Sequence, residues 1–315
     1  MLLKTISCSA AVMCLTGAVA AKELKVLAIG NSFSLSVTRN LPFIVNHQKK
    51  HKLLLTSAYI GGCSLERHSN NLRKAEKNPK FRPYSITVWD SEKAIPGYTV
   101  KPVKGNVNEL LKKNQYDVIT IQQASGFSWK FGTYEPYASE LISYIRKYQK
   151  NAEIVIQQTW SYRCDDKRLE KWNITPADMY KNLRAAYQKL AEKYQFRVIP
   201  TGDAVECFRA ATPKKFVQDP PGKVYKEPEL PDFSGDVVGS SRWRTNVKTK
   251  QRYLSTDPFH LNYLGEYMQA ALWYAFLFNE DASQITYRPE NIPADTAGLL
   301  KNSAQKALDN YKQVK

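Results

Sequence analysis

The sequence predicts an α/β fold: a three-layer α/β/α sandwich around a five-stranded, mainly parallel sheet. Three observations predict it. Five short apolar runs, at residues 26–29, 53–59, 116–123, 152–160 and 196–200, have the length of buried strands. Amphipathic stretches separate them, the alternation that lays helices against a parallel sheet. The runs also end in residues that bend the chain or carry polar side chains: Gly30-Asn31-Ser32, Gly61-Gly62, Gln122-Gln123 and Gln157-Gln158.

The first run ends at Gly30 and Asn31, followed by the hydroxyls Ser32 and Ser34 and a helix-like segment from about Thr38. Asn31, Ser32 and Ser34 can form a turn and cap the next helix, or present a reactive hydroxyl at the sheet edge where ligands bind. A helix over 41–52 follows from Leu41, Ile44 and Val45, and another over 64–77 with Ser64 as its cap. Residues 79–105 are less regular: 84–89 alternate like a half-exposed strand, with 98–100 as a hairpin partner, an insertion at the sheet edge. Helices are predicted at 107–113, 134–150 and 176–194. In the last, Met179, Leu183, Ala186, Tyr187 and Leu190 make one face, and Thr175-Pro176 supplies cap and first turn. The stretch 212–253 interrupts the pattern and is rich in Pro and Gly, with five basic residues and no acid between Arg242 and Arg252. Its length suits a lid over a site or a disordered segment. Helices at 263–278 and about 295–311 complete the chain, and no internal repeat is found.

Residues 1–20 read as a signal peptide, with Lys4, an apolar stretch to about Leu15 and an Ala18-Val19-Ala20 cleavage site. The expected mature chain, residues 21–315, is one domain carrying the basic insertion, exported to a periplasmic or secreted location. No later segment is apolar enough for stable membrane insertion. Loss of Lys4 lowers the formal charge of +17 by one. That charge suits an anionic surface or polyanionic substrate; nucleic acid is not expected for an exported chain lacking a binding motif. Cys63, Cys164 and Cys207 would remain, an odd number that leaves both a disulfide and free thiols open. No CxxC pair or zinc spacing occurs, so no metal is expected. His47, His51 and His68 read as solvated helix residues, with His68 the one that could line a pocket.

In a parallel sheet all strand carboxyl ends share one edge, which would gather Ser32, Gly62, Gln122, Gln123 and the Trp160 loop. Acyl transfer needs a hydroxyl nucleophile, an imidazole base, a carboxylate to hold it and N–H donors for the oxyanion. Asp257 and His260, three residues apart, could supply carboxylate and imidazole from one turn.

A strand followed by Gly30-Asn31-Ser32-Phe33-Ser34, with Asp257-Pro-Phe-His260-Leu-Asn-Tyr-Leu-Gly265 near the end, resembles the SGNH (GDSL-like) hydrolase superfamily over residues 24–280. The resemblance implies a flavodoxin-like fold with Ser32 as nucleophile, His260 as base and Asp257 as its orienting acid. It further implies oxyanion donors from the N–H groups of Ser32 and Gly62. The third motif departs from the family's Gly-x-Asn-Asp: Gln122-Gln123 stands there, so either Gln amide could be the third donor. The chain looks nearest an exported branch with the Gly-Asn-Ser-Phe opening, close to sialate and carbohydrate O-acetylesterases. Such an enzyme needs no cofactor. Its partner would be an acylated, in keeping with the charge anionic, carbohydrate bound by Asn31, Ser125, Trp160, Tyr162 and Arg163, although Trp160 equally suits the core. A non-catalytic carbohydrate-binding protein and a lipase or thioesterase are the alternatives on the same fold.

Overall fold

The computed structural model describes residues 20–311 and 313; the predicted signal peptide, all but its last residue, lies outside the described residues. The chain is α/β, with a central sheet of seven strands in the order β4-β3-β2-β1-β5-β6-β7. The expected five strands are its parallel part: β1 (Glu23–Gly30), β2 (Lys52–Tyr59), β5 (Val118–Ile121), β6 (Glu153–Gln157) and β7 (Val198–Ile199). Counting these five alone, the order is 2-1-3-4-5, so chain direction across the sheet reverses beside β1. Such a switch point opens a crevice at the strand ends, and Ser32 follows β1 directly.

The sheet has seven strands rather than five because the irregular stretch after residue 79 joins it. β3 (Tyr84–Asp90) pairs antiparallel with β2. Its other partner is β4 (Val103–Gly105), not residues 98–100. Three residues that include the exposed Val103 give no alternation to read.

The helices fall into two packed groups. One comprises α3 (Leu65–Lys77), α4 (Val107–Lys113) and α5 (Tyr137–Tyr148). The other centres on α9 (Tyr263–Phe278), with α2 (Leu41–Gln48), α8 (Thr201–Ala211) and α10 (Ala294–Asn310). From Tyr267 to Phe278 every side chain of α9 is buried, which makes it the pillar of the second group. A one-turn helix, α1 (Ser32–Leu35), follows β1; α6 (Lys167–Trp172) and α7 (Pro176–Tyr194) lie between β6 and β7. In α7 the side chain of Thr175 accepts from Asp178 N–H while Asp178 accepts from Thr175 N–H, a reciprocal cap that fixes the helix start.

Part of the stretch expected as a lid or disordered segment, 212–253, is regular structure. Residues Val238–Thr245 (β8) and Arg252–Leu261 (β9) form a separate two-stranded antiparallel ribbon. Asp257 and His260 therefore sit at the base of a strand, at a bulge. Val238 faces Leu261 but Ser240 faces Asp257, so Pro258, Phe259 and His260 bow out opposite the single residue Gly239. Gly239 has φ +101, a conformation side chains resist, and a Cβ there would meet the Arg163 guanidinium at 2.3 Å.

Two histidines contradict the surface reading. His51 follows α2 and is buried, stacked on Phe278 with ring centroids 4.4 Å apart and its Nε2 3.2 Å from Glu280. His68 is buried in α3 with Nδ1 2.9 Å from the Tyr84 hydroxyl, and burial lowers its pKa to about 3. Only His47 is exposed as expected. Cys63, Cys164 and Cys207 are all free, which closes the disulfide alternative.

Candidate active site

The site begins with Asn31, which is buried and joins three strand ends. Its Oδ1 accepts from Phe33 N–H at 3.0 Å, capping α1, and from Gln122 Nε2 at 2.5 Å; its Nδ2 donates to the Cys63 carbonyl at 3.0 Å. Below it, the Phe33 carbonyl accepts from Gln157 Nε2 at 2.7 Å and from Gln269 Nε2 at 2.8 Å. These buried amides fix a short turn of chain, and Ser32 emerges from it half-buried.

Ser32 Oγ lies 2.7 Å from His260 Nε2, and His260 Nδ1 lies 2.7 Å from Asp257 Oδ2. Asp257 Oδ1 accepts two backbone N–H groups, from Phe259 at 3.2 Å and His260 at 3.1 Å. Burial pushes the Asp257 carboxyl up, but the imidazole and these two donors outweigh it and hold the pKa below the usual carboxylate value. An ionised Asp257 accepts from Nδ1, so Nε2 is left to accept the Ser32 proton. Neither Ser32 N–H nor Gly62 N–H donates to another described residue. Gly62 sits in an exposed turn at φ +59.

The cluster opens into a cleft of about 590 Å³. Its lining adds Arg39, Tyr59, Phe233, Ser240, Arg242, Arg244, Tyr263 and Glu266 to Ser32, Asp257 and His260. Burial raises the Glu266 carboxyl to about 7 despite the opposing charges of Arg39, 3.3 Å away, and His260. Another cleft, of about 510 Å³, lies at the opposite end of the sheet beside Glu23 and Lys52, far from Ser32.

The other anticipated site residues are placed differently. Gln123 is committed to the fold: its Oε1 accepts from Leu65 N–H at 3.0 Å and Ala124 N–H at 2.8 Å, and its Nε2 donates to the Thr133 carbonyl at 2.9 Å. Gln122 is the one turned toward Asn31, yet it is buried and reaches Ser32 only through that residue. Asn31 spends its own polar atoms on protein partners. Trp160 floors the cleft but is fully buried, stacked on Phe33 at 4.0 Å with its indole N–H given to the Phe259 carbonyl. Tyr162 and Ser125 bond each other at 2.8 Å, and Tyr162 is buried. Arg163 is buried, held by Asp165 at 2.7 Å and packed over Phe216. These residues build the site's walls instead of offering free groups to a ligand.

Arg39, Tyr59, Tyr263 and Glu266 were not anticipated. The signal for the last two was there: Tyr263 and Glu266 follow His260 at helical spacing, on the turn entering α9. In the sequence Arg242 and Arg244 stand out only as part of a basic run. Their alternation with Ser240 was a strand signal masked by the Pro- and Gly-rich surroundings.

The fold is thus a mostly parallel α/β sheet with a hydrogen-bonded Ser, His and Asp at its switch point. The chain belongs to the family described as a domain of unknown function, DUF4886, whose model matches residues 25–220. Asp257 and His260 lie beyond that match. A solved DUF4886 protein from Bacteroides uniformis is similar at 23% identity and TM-score 0.71, covering 93% of this chain and 98% of its own. A candidate SGNH hydrolase from Slackia heliotrinireducens is 16% identical, covering 81% of this chain and 99% of its own, with TM-score 0.47. A candidate GDSL-like lipase from Parabacteroides merdae is 13% identical over 81% of this chain and 95% of its own, with TM-score 0.45. The first likeness concerns the fold; the other two are too distant to bear on chemistry. No curated protein matches the chain.

Proposed function

We propose that the protein is an exported serine ester hydrolase of the SGNH type that removes an acyl group, most simply acetyl, from a carbohydrate. The observation that carries this is the chain of contacts from Ser32 Oγ through His260 to Asp257, 2.7 Å at each link. In this reading Ser32 attacks the ester carbonyl as His260 Nε2 takes its proton. His260 then returns that proton to the leaving sugar oxygen, and water repeats the cycle on the acyl-enzyme. Asp257 holds the imidazole in the tautomer that accepts at Nε2. The Ser32 and Gly62 N–H groups receive the developing oxyanion. None of these steps calls for a cofactor. A lipase or thioesterase on this scaffold would need a continuous apolar acyl groove; here the apolar lining of Leu35, Tyr59, Phe233 and Tyr263 is interspersed with three arginines and a glutamate.

A specific observation favours a second reading, a carbohydrate-binding protein without turnover. Of the Gln122-Gln123 pair expected to give the third oxyanion donor, Gln123 gives its amide to Thr133 and Gln122 gives one N–H to Asn31. Loss of one such donor costs about 10²–10³-fold in rate, a deficit an enzyme can carry. The deciding experiment is p-nitrophenyl acetate hydrolysis by residues 21–315 beside Ser32→Ala and His260→Ala. Turnover abolished in both variants supports the esterase. Turnover indifferent to both substitutions, or its absence together with tight glycan binding unchanged in Ser32→Ala, refutes it.

A further inference from the structure

We infer that Arg242 and Arg244 form an anion-reading subsite in the cleft beside Ser32, so that the substrate is a glycan carrying a carboxylate or sulfate near its ester. The inference rests on the esterase reading and adds the substrate's charge and the residues that sense it.

Alternate residues of a strand share a face, and Ser240, Arg242 and Arg244 of β8 all line the cleft. Ser240 stands opposite Asp257 in the ribbon register. At about 3.3 Å per residue, the Cα atoms of Arg242 and Arg244 follow about 7 Å and about 13 Å further along the strand. They form a row leading away from the reacting hydroxyl.

Charge pairing separates these two arginines from the rest of the cleft. Arg39 is paired with Glu266 at 3.3 Å, and Asp257 with His260. Further out, Arg252 is paired with Glu227. Among the described residues, neither Arg242 nor Arg244 has a salt-bridge partner, and both are exposed. The carboxylates that line the cleft are already engaged, which leaves two cationic forks whose geometry suits carboxylate or sulfate oxygens.

The ribbon that carries them is tied to the core. Asn262 Nδ2 donates to the Asp236 carbonyl at 3.0 Å and the Gly239 carbonyl at 3.3 Å. Arg209 holds the Asp236 carboxylate at 3.0 Å, and Arg163 reaches the Val238 carbonyl at 3.4 Å. Tyr263, 42% exposed on the same cleft, adds a face on which a sugar ring can lie.

The test compares hydrolysis of O-acetylated polygalacturonate with that of O-acetylated xylan, a neutral polymer. It uses the wild type and the double variants Arg242→Ala/Arg244→Ala and Arg242→Lys/Arg244→Lys. The expected result is a wild-type preference for the charged polymer that the alanine pair reduces at least about tenfold in the ratio of kcat/KM. The lysine pair, which keeps charge but loses the fork, should fall between. Added NaCl should raise the wild-type KM on the charged polymer alone. Inhibition by unacetylated oligogalacturonate and not by sulfated dextran assigns a carboxylate, and the reverse a sulfate. Inhibition by neither, or an alanine pair with an unchanged ratio, overturns the inference. If the wild type hydrolyses no ester at all, the esterase reading fails separately. Calorimetric binding of oligogalacturonate and sulfated dextran then decides the subsite: binding lost in the alanine pair sustains it, and binding of neither overturns it.

Discussion

Replacing Asp257 with Asn would exchange one carboxylate oxygen for an NH2 group and invert the proton arrangement at Ser32. Oδ1 is met by two backbone N–H donors, at 3.2 and 3.1 Å, while Oδ2 faces His260 Nδ1 at 2.7 Å. An amide must keep its oxygen on the two N–H groups, because its NH2 cannot accept from them. The NH2 is thereby turned toward Nδ1, which becomes an acceptor. The ring proton then resides on Nε2, 2.7 Å from Ser32 Oγ, where a base is needed. Rotating the amide restores the tautomer but leaves two N–H groups unsatisfied, at about 1–3 kcal/mol each. The two together come to about 2–6 kcal/mol, so at about 1.4 kcal/mol per decade kcat for p-nitrophenyl acetate should fall by about 30-fold to 10⁴-fold. Folding stability should change by no more than about 1 kcal/mol, since both Oδ1 bonds survive. Steady-state kinetics and urea denaturation of the same Asp257→Asn preparation check both statements. A variant within tenfold of wild-type kcat would refute the assigned roles of Asp257 and His260.

Three further outcomes are expected. Glu266 has its carboxyl raised to about 7 by burial, so folding opposes its ionisation; the penalty is absent below about pH 4.5, grows as pH rises and is complete above about 7. Glu266→Gln should therefore leave stability unchanged near pH 4 and raise it by up to about 3 kcal/mol at pH 8, as read by urea denaturation at both values. Gly239→Ala forces a side chain into φ +101 against the Arg163 guanidinium and should cost about 1–3 kcal/mol in thermal denaturation. Because Gly239 faces the bulge bearing His260, it should also lower esterase activity. Burial pushes the Cys63 thiol up to about 12, while Cys164 is exposed, so a thiol reagent at pH 8 should label Cys164 first and Cys63 only on unfolding.

What the sequence disclosed follows the range of the forces involved. The five parallel strands and α7 were legible because each is specified by its own apolar pattern and caps. His51 and His68 were misread because their burial depends on partners elsewhere in the chain, Glu280 and Tyr84, which no local window contains. Strand β4 escaped for the opposite reason: three residues hold too little pattern to define a strand. In the candidate site, Ser32, Asp257 and His260 could be named from short motifs, yet the direction of the Gln122-Gln123 pair could not. Neighbouring strand residues point to opposite faces, and which face holds the site is set by the sheet's neighbours.

Asn31 shows how far the local reading reaches. Of the two alternatives its position allows, the cap is the one its contacts match, for its Oδ1 accepts Phe33 N–H, whereas the expected sugar contact has no free polar atom of Asn31 to use. The same side chain also binds Gln122 from β5's end and the Cys63 carbonyl from the loop after β2. Capping and site-building are therefore one arrangement here rather than competing readings. The buried amide that starts α1 also draws together the loops beside Ser32, and its engagement leaves Ser32 as the hydroxyl of that turn in contact with His260.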